Sequence, residues 1–353
     1  MASWEKNIRK VVPYVPGEQP KKTKMIKLNT NENPYPPAPG VAAALKEMDA
    51  DRLRLYPDPT VDDLVQAIAD FYQVNNDQVF VGVGSDDVLA MIFLTFFNSD
   101  QPILFPDITY SFYDVWADML HIPYERIPLD DSFLIHPENY KRPNGGIIFP
   151  NPNAPTGELM ELSRIEEIIE ANPDVIVVVD EAYIDFGGVS ALPLVDKYDN
   201  VIVVQTFSKS RSMAGSRIGY AISNPTLIKY LNDVKYSFNS YTMDSVTIAL
   251  GTASIRDRAY FERTRDKIIK TREWTKEQLR ELGFVFGDSK SNFIFAMHPQ
   301  VSGEELFEKL KERDIYVRHF SKPARINEYL RITIGTDAQM QEFIDFLRDY
   351  LKK

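Results

Sequence analysis

Short runs of β-branched apolar residues alternate with helical segments along the first two-thirds of this chain, and no other feature restricts its fold as strongly. Val79-Phe80-Val81, residues 102–105 and 145–149, Val175-Ile176-Val177-Val178-Val179 and residues 201–206 each read as a strand. Uninterrupted apolar runs of this length suit strands covered on both faces. Between them Val61, Leu64, Val65, Ile68, Phe71 and Tyr72 recur at helical spacing, and helices are expected near 87–97, 109–119 and 163–171. Strands alternating with helices imply an α/β fold with a mostly parallel sheet and helices on both faces. In such sheets ligands bind outside the carboxyl ends of the strands, so the polar residues that end each strand become the first candidates for chemistry.

Beyond about residue 255 the pattern changes. A long charged helix is expected over 257–282, followed by short strands near 284–286, 292–297, 315–318 and 329–334 and helices over 302–313 and 337–351. Residues 1–40 hold prolines at 13, 16, 20, 34, 36, 37 and 39, which disfavour regular packed structure. The expected organisation is an extended arm (1–40) joining the small domain, a large domain (41–255) and a smaller C-terminal α+β domain (256–353). A chain of 353 residues has room for both cores.

A net charge of −11 argues against a nucleic-acid surface, which needs a basic face. The absence of cysteine excludes disulfides and thiolate chemistry, and it fits a reducing, cytoplasmic setting. The amino terminus shows no signal-peptide pattern. The most apolar stretch, Val88 to Phe97, is too short to span a bilayer. The histidines (121, 136, 298 and 319) are scattered without ligand spacing, so no metal is expected.

Lys209 lies in Thr-Phe-Ser-Lys-Ser-Arg, just past the strand that ends near 206. A lysine attacks a carbonyl only as the free amine, which burial or a cationic neighbour such as Arg211 or Arg217 favours. Taken alone, such a residue is a loop lysine; its companions make the case. Asp180 follows five apolar residues, and a carboxylate at the rim of a core needs a partner. A protonated pyridine nitrogen is one such partner; a structural arginine or the following turn is another. Gly84-Ser85-Asp86 opens a helix, where Ser85 and Asp86 either bind a phosphate through free N–H groups or simply cap the helix. Thr206, Ser208 and Arg217 complete a plausible phosphate cup. Asn153, in Pro-Asn-Ala-Pro-Thr-Gly, belongs either to an ordinary turn or to one that holds its amide toward a ring oxygen, which Tyr183, in Asp-Glu-Ala-Tyr, could share; Tyr110 is either a core aromatic or stacks on a planar group. Arg331 lies mid-strand among apolar residues, where a guanidinium requires an anion, and Arg318 ends the preceding strand. An amine, a carboxylate and a guanidinium at neighbouring strand ends point to Schiff-base chemistry on a phosphorylated cofactor.

In this order the motifs Leu-Asn-Thr-Asn-Glu-Asn-Pro (28–34), Arg-Leu-Tyr-Pro-Asp (54–58), Pro-Asn-Ala-Pro-Thr-Gly (152–157), Asp-Glu-Ala-Tyr (180–183), Thr-Phe-Ser-Lys (206–209) and Leu-Arg-Ile-Thr-Ile-Gly-Thr (330–336) resemble the fold-type I aminotransferases that use pyridoxal 5'-phosphate. Together with Val-Pro-Tyr-Val-Pro-Gly (12–17) they look most like the histidinol-phosphate branch. The resemblance covers essentially the whole chain. It implies transamination between histidinol phosphate and 2-oxoglutarate, with glutamate as the other amino compound. It implies that Lys209 bonds the cofactor as a Schiff base and later moves the proton, and that Asp180 pairs with the pyridine nitrogen. Asn153 and Tyr183 are implied at the ring oxygen, Tyr110 against the ring, and Ser85, Asp86, Thr206, Ser208 and Arg217 at the phosphate. Tyr56 matches a tyrosine that reaches the partner subunit's cofactor, which implies a homodimer. Tyr14, Asn31, Arg318 and Arg331 match positions lining the substrate pocket. Many members have asparagine directly before the proline of the turn, whereas here that residue is Ala154; the ring-oxygen role is therefore expected of Asn153. Rival expectations on the same fold are an aromatic amino-acid aminotransferase, a decarboxylase of a phosphorylated amino acid and a cofactor-binding sensor without turnover.

Overall fold

The computed structural model describes residues 4–14, 17–20, 22 and 24–352; Val15 and Pro16 of the 12–17 motif lie outside them. The strands are β1 (Ile26–Lys27), β2 (Val79–Gly82), β3 (Ile103–Pro106), β4 (Tyr124–Ile127), β5 (Ile147–Pro150), β6 (Val177–Asp180), β7 (Val201–Thr206), β8 (Gly219–Ile222), β9 (Val285–Phe286), β10 (Phe293–Met297), β11 (Ile315–Tyr316), β12 (Arg318–His319) and β13 (Leu330–Thr333). The helices are α1 (Pro39–Glu47), α2 (Asp62–Tyr72), α3 (Ser85–Phe96), α4 (Phe112–Leu120), α5 (Leu162–Glu170), α6 (Leu192–Val195), α7 (Pro225–Phe238), α8 (Ser245–Arg256), α9 (Arg258–Glu281), α10 (Gly303–Lys311) and α11 (Asp337–Leu351).

Seven strands form the main sheet in the order β2-β8-β7-β6-β5-β3-β4. From β4 to β7 the pairings are parallel. β8 runs antiparallel between β7 and β2, so the sheet is mixed at one side. Val177, Val178, Val179, Val201, Ile202 and Val203 are all buried. They face helices on both sides, which is why their runs show no alternation. Each such side chain adds roughly 1.5–3 kcal/mol on burial.

A second sheet, β12-β13-β10-β9, is antiparallel. It packs Phe293, Ile294 and Ile332 against Ile268 and Leu279 of α9 and Phe343, Ile344 and Leu347 of α11. The amino-terminal segment pairs with this part: β1 lies parallel to β11, with Ile26 opposite Ile315 and Lys27 opposite Tyr316.

The strand expected over 315–318 is split, because β11 pairs with β1 while β12 joins β13. The sequence reading placed no element over 219–256, where β8, α7 and α8 lie. β8 opens on a glycine after a polar loop, which hides a strand that is fully buried. α7 and α8 begin at Asn224 and Asp244, whose side chains accept from Leu227 N and Thr247 N and cap the first turns.

Candidate active site

The carboxyl ends of β5, β6 and β7 open on one cavity that also meets the start of α3. β6 ends in Asp180, and the loop after β7 carries Ser208 and Lys209 across its mouth. Ser85, Asp86, Tyr110, Pro150, Ala154, Asp180, Tyr183, Ser208, Lys209 and Arg217 line a recess of about 130 Å³. It is continuous, through Asp86, Tyr110, Tyr183, Lys209 and Arg217, with an outer cavity of about 390 Å³. The outer cavity also takes in Tyr14, Asn29, Thr30, Asn31, Arg318 and Arg331.

At the phosphate end, α3 has Gly84 as its N-cap with no side-chain cap, so the first N–H groups of the helix are open. Gly84 has φ +86°, and a Cβ there would lie 2.5 Å from Nη2 of Arg217. Across the same turn a Cβ on Gly219 would lie 2.2 Å from Ser85 N, so two glycines let β8 and the helix start touch. Arg217 donates Nη2 to Asp86 Oδ2 at 3.0 Å, and Tyr110 donates its hydroxyl to Asp86 Oδ1 at 2.7 Å. Burial, reinforced by Asp86, pushes the Tyr110 hydroxyl far up, so it stays a donor.

Asp180 is buried and accepts from Tyr113 Oη at 2.8 Å and from Ala182 N at 3.2 Å. Burial raises its carboxyl to about 6 against those bonds. Lys209 Nζ lies 5.6 Å from the centre of the Tyr183 ring. Its loop is fixed from the amino-terminal segment, since Asn33 Nδ2 donates to Lys209 O at 2.9 Å and Ser210 O at 3.1 Å. Tyr183 Oη accepts from Asn31 Nδ2 at 2.9 Å.

At the far end Arg318 and Arg331 are register partners on β12 and β13. Like charges directly opposed on a sheet repel, which an anion between them relieves. Arg331 Nη2 donates to Asn29 O at 3.0 Å, and its buried Nε has no partner. Asn29 Oδ1 and Thr30 Oγ1 are also buried and unpaired at this end. Burial, with Arg318 adding to it, lowers the Arg331 guanidinium from its ordinary value.

Three expected residues lie outside the cavity of this chain. Asn153 lies apart from the recess: its Nδ2 donates to Ile108 O and Thr156 Oγ1, both at 3.0 Å. It lines a different cavity of about 190 Å³ with Phe133, His136 and Glu158. The turn presents Ala154 to the cofactor recess instead, and Ala154 carries no donor. Thr206 is buried behind Ser208, with its hydroxyl on Ser208 Oγ at 3.0 Å and Ile218 O at 3.2 Å, so it supports the cup without lining it. Tyr56 is 83% exposed and packs on Tyr241. Tyr113 and Asn33 are the functional neighbours that the sequence reading passed over. Asn33 stands in a quoted motif, whereas Tyr113 reads as one aromatic among several.

Residues 23–347 match the family "Aminotransferase class I and II". The chain belongs to the class I and II aminotransferases. It is 53% identical over 350 residues to the histidinol-phosphate aminotransferase of Lactococcus lactis subsp. cremoris, covering 99% of this chain and 98% of that protein. It is 54% identical over 346 residues to the histidinol-phosphate aminotransferase of Pseudomonas syringae pv. syringae, covering 98% and 99%. Its fold is similar to that of the Sinorhizobium meliloti histidinol-phosphate aminotransferase in complex with pyridoxal-5'-phosphate, with TM-score 0.84, 23% identity and coverage of 93% and 92%. The L-threonine-O-3-phosphate decarboxylase of Porphyromonas gingivalis shares the fold too, at TM-score 0.77 and 22% identity over 93% of this chain and all of that one. Fold alone therefore does not select the reaction. Among the described residues no helix is long and apolar enough to cross a membrane, and no cluster of side chains suits a metal ion.

Proposed function

We propose that this chain carries out pyridoxal-phosphate-dependent transamination between histidinol phosphate and 2-oxoglutarate, a step of histidine biosynthesis, as a cytoplasmic homodimer. One observation carries the reading: a lysine, a buried carboxylate, an uncapped helix start and two facing arginines share one continuous cavity. The open N–H groups of α3 and the Gly84–Arg217 contact suit a phosphate, and the buried carboxylate of Asp180 suits a protonated ring nitrogen. Pyridoxal phosphate, when bound, supplies an aldehyde and an electron-withdrawing ring that take up an amino group and pass it on.

The chain's own residues divide the remaining work. Arg217, Ser85, Asp86 and Ser208 hold the phosphate, with Thr206 steadying Ser208. Asp180 keeps a proton on the ring nitrogen. Tyr183, held by Asn31, offers a hydroxyl to the ring oxygen, and with Ala154 facing the recess it does so without an asparagine beside it. Lys209 would anchor the aldehyde and, once the substrate's amino group has displaced it, would take the proton from the substrate's α-carbon as a free amine. Tyr14 stacks on Phe112 with ring centroids 4.2 Å apart and closes the outer cavity. Arg318 and Arg331 bind the anionic end of each substrate, phosphate in one and carboxylate in the other, because a guanidinium fork pairs with either.

The domain division fits this chemistry: a large part (41–255) holds Lys209 and Asp180, a small part (256–353) brings the two arginines, and the arm (1–40) brings Tyr14 and Asn31. The two close sequence relatives bearing the histidinol-phosphate name favour that substrate. Steady-state rates with histidinol phosphate, phenylalanine and threonine phosphate test it. Histidinol phosphate is expected to be the best amino donor, and a clear preference for phenylalanine, or release of CO₂ from threonine phosphate, overturns the assignment. Lys209→Ala is expected to abolish turnover and the absorbance band of the Schiff base between cofactor and protein; survival of either removes Lys209 from its role.

A further inference from the structure

Asp180 and Tyr113 come from separate layers. Asp180 ends β6, and Tyr113 stands in the first turn of α4, where Tyr113, Trp116 and Ala117 face inward at helical spacing. The Tyr113 ring is fully buried against Phe93 of α3 at 6.2 Å, Phe105 of β3 at 5.8 Å and Tyr110 at 5.8 Å. Those contacts leave its hydroxyl one direction, onto Asp180 Oδ2 at 2.8 Å. Oδ1 takes Ala182 N, so both carboxylate oxygens are tied and the plane of the group is set.

We infer that Tyr113 is a positioning residue: its hydroxyl holds the Asp180 carboxylate in the orientation and charge state that a protonated ring nitrogen requires. This rests on the reading of Asp180 given under Proposed function. A carboxylate in a dry site survives as the anion only if donors compensate for lost water. The surroundings supply few. In register, Asp180 lies between Pro150 of β5 and Val204 of β7, which carry no charge. Asp86 on α3 opposes ionisation and Lys209 favours it. Tyr113 is the side-chain donor, and burial beside Asp180 holds its own hydroxyl far above the ordinary range, so it donates at every working pH. Removing that bond moves Asp180 further toward the neutral acid, which competes for the proton meant for the ring.

The sign follows. Cofactor binding needs ionised Asp180 and weakens as pH falls through its pKa, near 6 with Tyr113 present. In Tyr113→Phe the same loss begins at higher pH.

The test is binding of pyridoxamine phosphate, which forms no Schiff base with Lys209, to the apoprotein by fluorescence quenching from pH 5 to 9. Wild type, Tyr113→Phe, Asp180→Asn and the double variant are compared, with melting temperatures to establish that each is folded. Tyr113→Phe is expected to move the acid limb up by about one pH unit, a loss of about fivefold near pH 6 that approaches tenfold near pH 5, and to converge on wild type by pH 9. Added to Asp180→Asn, it is expected to change nothing further. Equal weakening at every pH, or an undiminished effect in the Asp180→Asn background, overturns the inference and leaves Tyr113 a packing residue. Wild-type binding by Asp180→Asn instead overturns the reading of Asp180 itself.

Discussion

Arg331 concentrates the specificity question in one side chain. Its Nε has neither solvent nor a partner, and its register neighbour Arg318 is itself a cation. Lysine keeps the charge but loses the planar fork, so Arg331→Lys is expected to raise the KM for histidinol phosphate at least tenfold while changing kcat less, equivalent to about 1.4 kcal/mol or more of binding. Steady-state kinetics checks the split. Glu158, at the end of the turn that carries Asn153, offers a pH prediction. Burial, then Asp288, raises its carboxyl to about 7. An acid raised in the fold costs stability as pH climbs from its ordinary value through the raised one, and costs nothing further above that. Glu158→Gln should therefore melt higher than wild type at pH 8 and match it near pH 4.5; equal curves at both pH values refute the sign. At this scale Asp180 and Arg331 stand out in the sequence because each is a charged residue set against an apolar run, and Lys209 because it lies just past the end of a buried strand. That Ala154 rather than Asn153 lines the recess is not legible in the sequence, because which of two adjacent turn residues faces it depends on the turn's path. Tyr113 was invisible because its partner lies far along the chain.

The start of α3 shows what an element contributes beyond its side chains. The phosphate site proposed there consists of N–H groups left open by an N-cap that is a glycine, and the glycine is required twice. Its φ of +86° disfavours other residues, and a Cβ would displace the Arg217 guanidinium. Gly84→Ala is expected to cost about 1–3 kcal/mol locally and to weaken pyridoxal phosphate binding at least tenfold, read by titration of the apoprotein. Unchanged affinity removes the helix start from the phosphate site. The parallel strands β3, β5, β6 and β7 were readable because burial on both faces writes itself as short unbroken runs of Val, Ile, Leu and Phe. β8 was not, although it is equally buried, because four residues beginning with glycine carry too little pattern. That omission concealed why the sheet is mixed and how Gly219 meets Ser85.

At the scale of the whole molecule, a group of apolar side chains remains uncovered. Leu53, Leu55, Tyr56, Phe238 and Tyr241 are exposed, with Phe238 at 72%. The segment 53–59 lies along 235–241: Tyr56 packs on Tyr241 at 4.7 Å, and Lys235 Nζ donates to Pro59 O at 3.1 Å. A patch of this kind marks an interface. In the proposed homodimer it is covered, and Tyr56 reaches the partner's phosphate. Phe238→Glu is expected to shift sedimentation from dimer to monomer and to reduce cofactor affinity with it; a wild-type monomer refutes the assembly. The central claim is that one cavity passes an amino group from histidinol phosphate to a cofactor held by Lys209. Its most direct test is a half-reaction, in which protein loaded with pyridoxal phosphate is mixed with histidinol phosphate and no 2-oxoglutarate. The expected result is stoichiometric conversion of the cofactor's absorbance to the aminated form, reversed on adding 2-oxoglutarate and absent in Lys209→Ala. An unchanged spectrum with histidinol phosphate, under conditions where another amino donor converts it, contradicts the claim.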